Sequence, residues 1–502
     1  MTGTIGQVME WWSRTQSDRT AIRFPDDSVS FAELHSWSSR VAADLIDRGL
    51  ESGDRVGIFG ANSLHWCVAA FAIMKSGAIL VPLNYRYASA ELESVVQGCT
   101  PRFVLVDVAG IARAALLPAS ETMVLPLDLV AKGRIGAAVS IDSPYEPDAP
   151  IVIAYTSGST AKPKGVVFTH RSVLGYAFEA YLNYPELCVG AKSIDVPPLF
   201  TGGGTVQLIQ FMIMGITNFI DYEFDAARTL RLLLDEKIEI FCGVPTFFER
   251  IAALPEFDQA DLSHITLAAC GGARVPVSLL KTWLTKGVVL RQLYGLTEAG
   301  GNTTIMPAAE AVDHPEQCGS GGIFTTHRIV ALGGSDCPTG DAGEIWVRGP
   351  GVMAGYWADA AATAAVMSDG WLRTGDIGKV DERGNLTLVD RLKDMIISGG
   401  LNIWPIDIEN SIAEIDGVIE VAVIAARDER FGETPLAIIY ASRPIESGEV
   451  IAHCDARMAD YKVPRYVVFT DQPLPRLATG KLAKRELKER FADAAATLPR
   501  VR

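Results

Sequence analysis

Residues 151–165 read IVIAYTSGSTAKPKG. Ile151 to Ile153 have the branched, apolar character of a buried strand, and that strand delivers the chain into a polar, glycine-containing loop, Tyr155 to Gly165. The loop gathers the hydroxyls of Thr156, Ser157, Ser159 and Thr160 around Gly158, and Lys162, Lys164 and Gly165 follow. Hydroxyls and backbone N–H groups in such a turn can donate many hydrogen bonds to phosphate oxygens, and two ammonium groups can neutralise the charge. The segment is expected to grip a polyphosphate. It is not a Walker A loop, because no Gly-Lys-Ser/Thr opens a helix at the required spacing. A bare surface loop is the plainer reading, but loops fed by strands are where binding groups concentrate.

Working outward, the first hundred or so residues alternate strand and helix as an α/β sheet does. Ser30 and Glu33 form a capping-box pattern, Leu34, Val41 and Leu45 share one helical face, and Gly49 can end that helix. A strand-like stretch at 55–59 leads to an apolar helix through Trp66 and Phe71 to Lys75, then to strand-like 79–83, a helix over 88–97 and a buried run at 103–107. Downstream, 226–237 and 277–286 read as helices, and 239–241 and 288–293 as strands. From Leu386 the elements shorten, and 393–398, 405–415, 418–425, 436–440 and 466–469 suggest a small separate α+β unit with a boundary near Asp390. The sequence shows no internal repeat, low-complexity tract or heptad run.

Composition narrows the function classes. The 502 residues include 45 Lys and Arg against 60 Asp and Glu, a formal net charge of −15. With 48% hydrophobic and 21% charged residues, the chain can bury a large core, which excludes disorder along most of its length. The length suits about three folding units, or a large core with one small domain. The acidic balance argues against nucleic acid as a partner, since phosphate backbones need a broad basic field. Cysteines at 67, 99, 188, 242, 270, 318, 337 and 454 form no CxxC pair and read as reduced core thiols. The N-terminal residues lack the basic flank and apolar core of a secretory signal. The longest uncharged run, between Asp195 and Asp221, is long enough to weigh as a membrane span. Its prolines, glycines and glutamines suit a buried loop and core helix better. No transmembrane segment and a cytoplasmic location are expected.

The loop at 155–165 resembles that of the adenylate-forming superfamily, which includes acyl-CoA synthetases, carrier-linked adenylation domains and luciferases. Further family segments follow in order: CGGARVP at 270–276, QLYGLTE at 292–298, WLRTGDIG at 371–378, DRLKDMIISGG at 390–400 and PRLATGK at 475–481. One such string is weak; six in the family's order, over nearly the whole chain, are not.

The resemblance implies a large multi-subdomain N-terminal α/β domain, 1–390, and a small mobile α+β C-terminal domain, 391–502, with a hinge near Lys393. It implies adenylation, in which a substrate carboxylate attacks the α-phosphorus of ATP and pyrophosphate leaves, so that catalysis is mainly positioning and charge neutralisation. Thr156, Ser157, Gly158, Ser159, Thr160 and Lys164 would form the phosphate loop. Tyr294 would offer a flat ring to adenine, Thr297 a hydroxyl to the α-phosphate, and Glu298 a hard oxygen ligand to Mg2+. Gly271, Gly272 and Ala273 would let backbone approach the purine or the acyl carboxylate. Asp376 would accept hydrogen bonds from both ribose hydroxyls, with Arg391 supporting the sugar. Lys481 would bridge carboxylate and α-phosphate, a task suited to a point charge on a flexible stem. Because it lies in the small domain, the resemblance implies domain alternation: for the second step the lysine withdraws and Ser398, Gly399 and Gly400 line a channel for the phosphopantetheine arm of CoA. Phe200, Thr201, Gly202, Val244, Gly295 and Gly301 would line the acyl pocket. Each residue also has a plainer reading. Tyr294 or Glu298 alone could be packing or surface, Asp376 and Arg391 a salt bridge at a domain boundary, and the glycines tight turns.

Three positions depart from the family pattern: Ala161 replaces the usual Gly, Thr201 stands where many acyl-CoA synthetases carry a His near the acyl carboxylate, and Leu401 replaces a common Glu. The glycines at 202–204 and 300–301 suggest space for a bulky or cyclic acyl group. The expectation is an AMP-forming acid:CoA ligase using ATP, Mg2+ and CoA on a carboxylic acid with a medium or long, bulky or cyclic hydrophobic acyl group. Alternatives are acyl transfer to a carrier protein, adenylation of an amino acid, light emission, and a nucleotide-binding module without turnover. A second copy of the chain, as a homodimer, is also carried as a partner.

Overall fold

In the computed structural model, residues 3–110, 122–141, 146–156, 163–273, 275–399, 401–428, 430–476, 482–491 and 498–501 are described. By contact the chain divides into two compact units, Met1–His327 with Trp346–Arg373, and Arg328–Ile345 with Thr374–Arg502. The second unit therefore takes in Arg328–Ile345 and the residues from Thr374 onward, segments that begin before the boundary expected near Asp390.

The first unit contains two sheets. The expected strand–helix alternation forms one of them: Arg55–Phe59 lies between and parallel to Ile79–Leu83 and Phe103–Val106. Its full order is Gly355–Tyr356, Lys164–Thr169, Pro150–Thr156, Ile79–Leu83, Arg55–Phe59, Phe103–Val106 and Met123–Pro126. Ile79–Leu83 is buried throughout, as the reading of continuous apolar runs requires. The helix Leu64–Lys75 is buried at every residue but His65, the mark of an inner layer rather than a surface helix. The capping box is present: Ser30 accepts from the Glu33 N–H at 3.2 Å, and Glu33 Oε2 accepts from the Ser30 N–H at 2.8 Å.

The other sheet has eight strands, ordered Gly301–Ile305, Leu290–Leu296, Leu267–Gly271, Ile240–Gly243, Lys192–Asp195, Thr217–Ile220, Thr20–Arg23 and Ser28–Ser30. The inner pairs are parallel and the two outermost pairs antiparallel. The uncharged run after Asp195 becomes a loop, the helix Gly202–Met214 and a strand. Among the described residues no helix is long and apolar enough to cross a membrane.

In the second unit Val418–Asp428 and Gly432–Ala441 form a long antiparallel ladder, joined by Ile396–Ser398, Leu401–Ile403 and, in parallel, Tyr466–Thr470. Alternate side chains separate two cores, Val423, Ala437 and Ile439 with Ile408 and Ile412 on one face, Ala422, Ile424 and Ile438 with Leu487 on the other.

All eight cysteines are free, but they are not all core thiols: Cys188 is exposed, and Cys242 and Cys337 are half-buried. The strand at 150–156 does not simply empty into a loop. It turns back as a hairpin with Lys164–Thr169, with Thr156 opposite Lys164 and Tyr155 opposite Gly165.

Candidate active site

Four neighbouring parallel strands of the eight-stranded sheet end on one edge. Their registers set Gly271 beside Leu293, Gly243 beside Cys270, and Cys242 beside Asp195. The residues that follow are those the sequence singles out: Phe200–Gly202, Val244, Gly272 and Ala273, and Thr297 and Glu298. In parallel α/β sheets the crevice outside the carboxyl ends of the strands is where ligands bind. The loops touch as well as converge, since a Cβ built on Gly202 would lie 2.7 Å from Thr297 Cγ2 and 3.0 Å from its Oγ1.

Several expected features take a different form here. Tyr294 is only 5% exposed, so its ring is part of the packed wall. The glycines mostly serve close approach rather than room. A Cβ on Gly204 would lie 2.3 Å from the Pro198 carbonyl oxygen, on Gly271 2.3 Å from that of Leu293, on Gly295 2.1 Å from that of Gly301, and on Gly300 2.4 Å from that of Gly351. Gly272, Gly300 and Gly301 also hold φ of +73°, +88° and +117°, left-handed values that disfavour side chains. Gly203 alone of this set meets nothing within 4 Å. Thr201 caps the helix Gly202–Met214: its hydroxyl donates to the Pro198 carbonyl at 2.7 Å and accepts from the Gly204 N–H at 3.1 Å. A polar residue at this position thus has a local helix-capping task.

Of the phosphate loop, Ser157, Gly158, Ser159, Thr160, Ala161 and Lys162 lie outside the described residues, but the hairpin fixes both ends of the segment. Lys164 Nζ lies 5.0 Å from the centre of the Tyr356 ring. The Tyr356 hydroxyl donates to Glu298 Oε1 at 3.1 Å, and the Met353 N–H donates to the Glu298 carbonyl at 2.9 Å. Burial and the Glu298 charge push the Tyr356 phenol pKa upward, so it remains a donor at neutral pH. Tyr356 thus links the hairpin lysine to the expected metal ligand, a role no motif announces. Pairing of Gly355–Tyr356 with Lys164–Thr169 places it there. Among the described residues no group of three or more His, Cys, Asp or Glu side chains is placed to hold a metal ion. Glu298 offers one hard oxygen ligand of the kind Mg2+ takes, commonly one or two carboxylates with substrate phosphates and water.

In the second unit Asp376 and Arg391 stand opposite one another in an antiparallel pair, and Arg391 Nε lies 3.1 Å from Asp376 Oδ1. Asp376 is 6% exposed and its N–H donates to Thr374 Oγ1 at 3.1 Å. The two form the ion pair of the plainer reading, with one carboxylate fixed in a buried setting. Lys393 lies in a short 3-10 turn, Leu392–Asp394, and Ser398 is buried at the end of Ile396–Ser398. Gly399 has φ +57° and donates to the Phe431 carbonyl at 2.8 Å. Gly400 and Lys481 lie outside the described residues.

The AMP-binding enzyme family model matches residues 9–357, and that of the AMP-binding enzyme C-terminal domain matches residues 407–481. The chain belongs to the AMP-binding enzyme family. This AMP-binding enzyme is 34% identical over 488 residues to feruloyl-CoA synthase of an Amycolatopsis species, covering 95% of this chain and 97% of that one. It is 35% identical over 509 residues to indoleacetate–CoA ligase of Aromatoleum aromaticum, covering 97% and 98%. The ATP-bound crystal structure of MatB from Rhodopseudomonas palustris superposes with a TM-score of 0.90 at 28% identity, covering 98% of this chain and 100% of that one. Its class is that of AMP-forming acid–thiol ligases.

Proposed function

We propose that this AMP-binding enzyme converts a carboxylic acid to its CoA thioester through an acyl adenylate. A carboxylate oxygen bonds to the α-phosphorus of ATP as the bond to pyrophosphate breaks. The CoA thiolate then bonds to the acyl carbon as AMP departs with the electron pair. The observation that carries the reading is the convergence of Phe200–Gly202, Val244, Gly271–Ala273 and Thr297–Glu298 on one carboxyl edge of parallel strands.

In this reading Thr156, Lys164 and the residues from Ser157 to Thr160 hold the triphosphate, Thr297 donates to the α-phosphate, Tyr294 walls the adenine, and Asp376 with Arg391 takes the ribose. Glu298 would hold Mg2+, which when bound would supply charge neutralisation to the departing pyrophosphate. Lys481 gathers the carboxylate and α-phosphate, Lys393 is the hinge, and Ser398, Gly399 and Gly400 serve the CoA step. The preferred acid carries a bulky or cyclic body. What supports this is the naming of two relatives for feruloyl and indoleacetate groups, rather than the glycines. The CoA-directed names of those relatives do not favour a carrier protein as acceptor.

The test is acid-dependent exchange of labelled pyrophosphate into ATP, followed by mass spectrometry of thioester formed with free CoA. Exchange with at least one acid, and its fall by about 100-fold or more in Lys481→Ala, is the expected result. ATP binding without exchange across a broad acid panel would refute the proposal.

A further inference from the structure

Immediately behind the acyl edge lies a cluster of buried polar groups that neither the fold nor the adenylation chemistry uses. Ser193, Asp195 and Asn218 are 0%, 1% and 2% exposed. The Ser193 hydroxyl and the Nε2 atoms of Gln207 and Gln210 are buried with no partner at hydrogen-bonding geometry, while the equally buried Asp195 carboxyl and Asn218 amide have only one another, and not at good geometry. Their placement is common. Ser193 pairs with Asn218 and with Ile240 in the parallel ladder, so these side chains share one face of the sheet. Asp195, two residues on, returns to that face, opposite Cys242. On the helix Gly202–Met214, Gln207 and Gln210 precede Phe211 and Met214 by four residues each, and those two pack with Ile240 against the same sheet.

Each such group left unsatisfied costs about 1–3 kcal/mol, so a cluster of them needs an explanation. The face carries little formal charge. Burial drives the Asp195 carboxyl pKa well above its usual range, although Asn218 pulls the other way, and burial likewise raises the thiols of Cys67 and Cys242. Three amide NH2 groups supply donors, the Asn218 carbonyl an acceptor, and a neutral carboxyl can both donate and accept. A hydroxyl or ketone fits that set, whereas an ammonium would confront the amide donors. The strand bearing Asp195 runs directly into Pro197–Phe200, and the helix bearing both glutamines begins at Gly202 against Thr297. Both elements that carry the cluster therefore lead directly into segments of the acyl edge.

We propose that Ser193, Asp195, Gln207, Gln210 and Asn218 form a specificity subsite that recognises an uncharged hydroxyl or ketone on the far end of the acyl group. This rests on the acid–CoA ligase reading and narrows its substrate class.

The test compares acids sharing one skeleton, on aryl, alicyclic and straight-chain propanoates: the distal hydroxyl or ketone form, the methyl isostere, and the aminomethyl form. The readouts are pyrophosphate release and thioester mass. The neutral polar form is expected to exceed the methyl isostere by about 10- to 100-fold in kcat/KM on at least one skeleton. In Asp195→Leu or Asn218→Leu that ratio falls towards one. Should those variants fail to fold, Gln207→Leu and Gln210→Leu, on the opposing helix, are expected to lower the same ratio, which a merely structural role would not move. Equal use of the polar and methyl forms, preference for the aminomethyl form, or an unchanged ratio in the folded variants would overturn the subsite while leaving the ligase intact. No turnover of any acid despite bound ATP would instead remove the ligase reading, and this inference with it.

Discussion

In the first unit, Gly202, Gly271 and Gly295 bring backbone so close to Thr297, Leu293 and Gly301 that a single added carbon would collide. In the second, the chemistry-bearing segment is surrounded by charge. Asp376 faces Arg391 at 3.1 Å, Lys488 holds Asp394 at 2.8 Å, and Lys484 holds Glu409 at 2.7 Å. Close backbone approach fixes positions through repulsion, which hardly depends on pH or salt. Ion pairs fix them through attraction, which depends on both and can be re-formed elsewhere. The first unit is thus held mainly by contacts that resist change, and the second by contacts that can be exchanged.

The largest effect should come from breaking the most enclosed of these pairs. Glu409 is 6% exposed, and its Oε1 also accepts from the Val423 N–H at 2.7 Å. Burial lowers the Lys484 pKa, but Glu409, Asp390 and Asp394 more than restore it, and it ends raised. Lys484→Met leaves a buried carboxylate without its cation and should destabilise the second unit by about 3–5 kcal/mol in denaturant unfolding. The double variant with Glu409→Met should recover much of that loss. If the single variant is neutral, charge does not organise this unit as the comparison requires.

Gly295→Ala probes the other side. Its methyl would lie 2.1 Å from a backbone oxygen that no rotamer change can move, so a loss of about 2–3 kcal/mol is expected. Gly203→Ala, with nothing within 4 Å, should instead gain about 0.5–1 kcal/mol from helix propensity. Equal responses at the two positions would remove the argument from close approach.

Acid should separate the units next. Burial lowers the pKa of His35, with help from the Lys75 charge, and of His170 and His327, each to about 4; His65 moves in the same direction. Between pH 6.5 and 4 the unfolded chain binds protons at these sites that the folded first unit refuses, so its stability falls as pH falls. Asp195, with a raised pKa, works in the opposite sense, one group against four. In the second unit burial raises Asp390, which gains stability over the same window. Asp394, lowered by Lys488 and neighbouring lysines against its burial, gives up its contribution only below about pH 3.8. Hydrogen exchange at pH 7 and pH 5 should therefore show protection falling in the first unit relative to the second.

The same contrast explains what was legible in the sequence. Segments whose candidate chemistry is spelled in consecutive residues, such as YGLTE at 294–298 or RTGD at 373–376, stood out in the sequence through the family resemblance, and parallel strands bring several such segments to one edge. Thr201 could have been read as a helix cap, because its partner Gly204 is three residues on. Asp195 and Asn218 could not be paired from the sequence, since 22 positions lie between them and only sheet register brings them to one face. Tyr356 was hidden for the same reason: its partner Glu298 is 58 residues away.

Tyr356 supports the smallest prediction and the one that separates two contributions at a single site. Its hydroxyl donates to Glu298, while its ring faces the Lys164 ammonium at 5.0 Å. Tyr356→Phe removes the first contact and keeps the second, because attraction of a cation to an aromatic face does not need the hydroxyl. The backbone bond from the Met353 N–H to the Glu298 carbonyl is untouched, so the strand end should stay in place. The lost hydrogen bond is worth about 1 kcal/mol, or about fivefold. Because Glu298 is the ligand proposed for Mg2+, that loss should appear as a rise in the Mg2+ and ATP concentrations needed for half-maximal pyrophosphate exchange, with kcat changed less. Tyr356→Leu, which removes both contacts, should weaken ATP use further. If Phe and Leu behave alike, the hydroxyl and not the ring positions this corner; if Phe matches the unaltered enzyme and only Leu loses ATP use, the ring does, and Glu298 is oriented by its backbone alone.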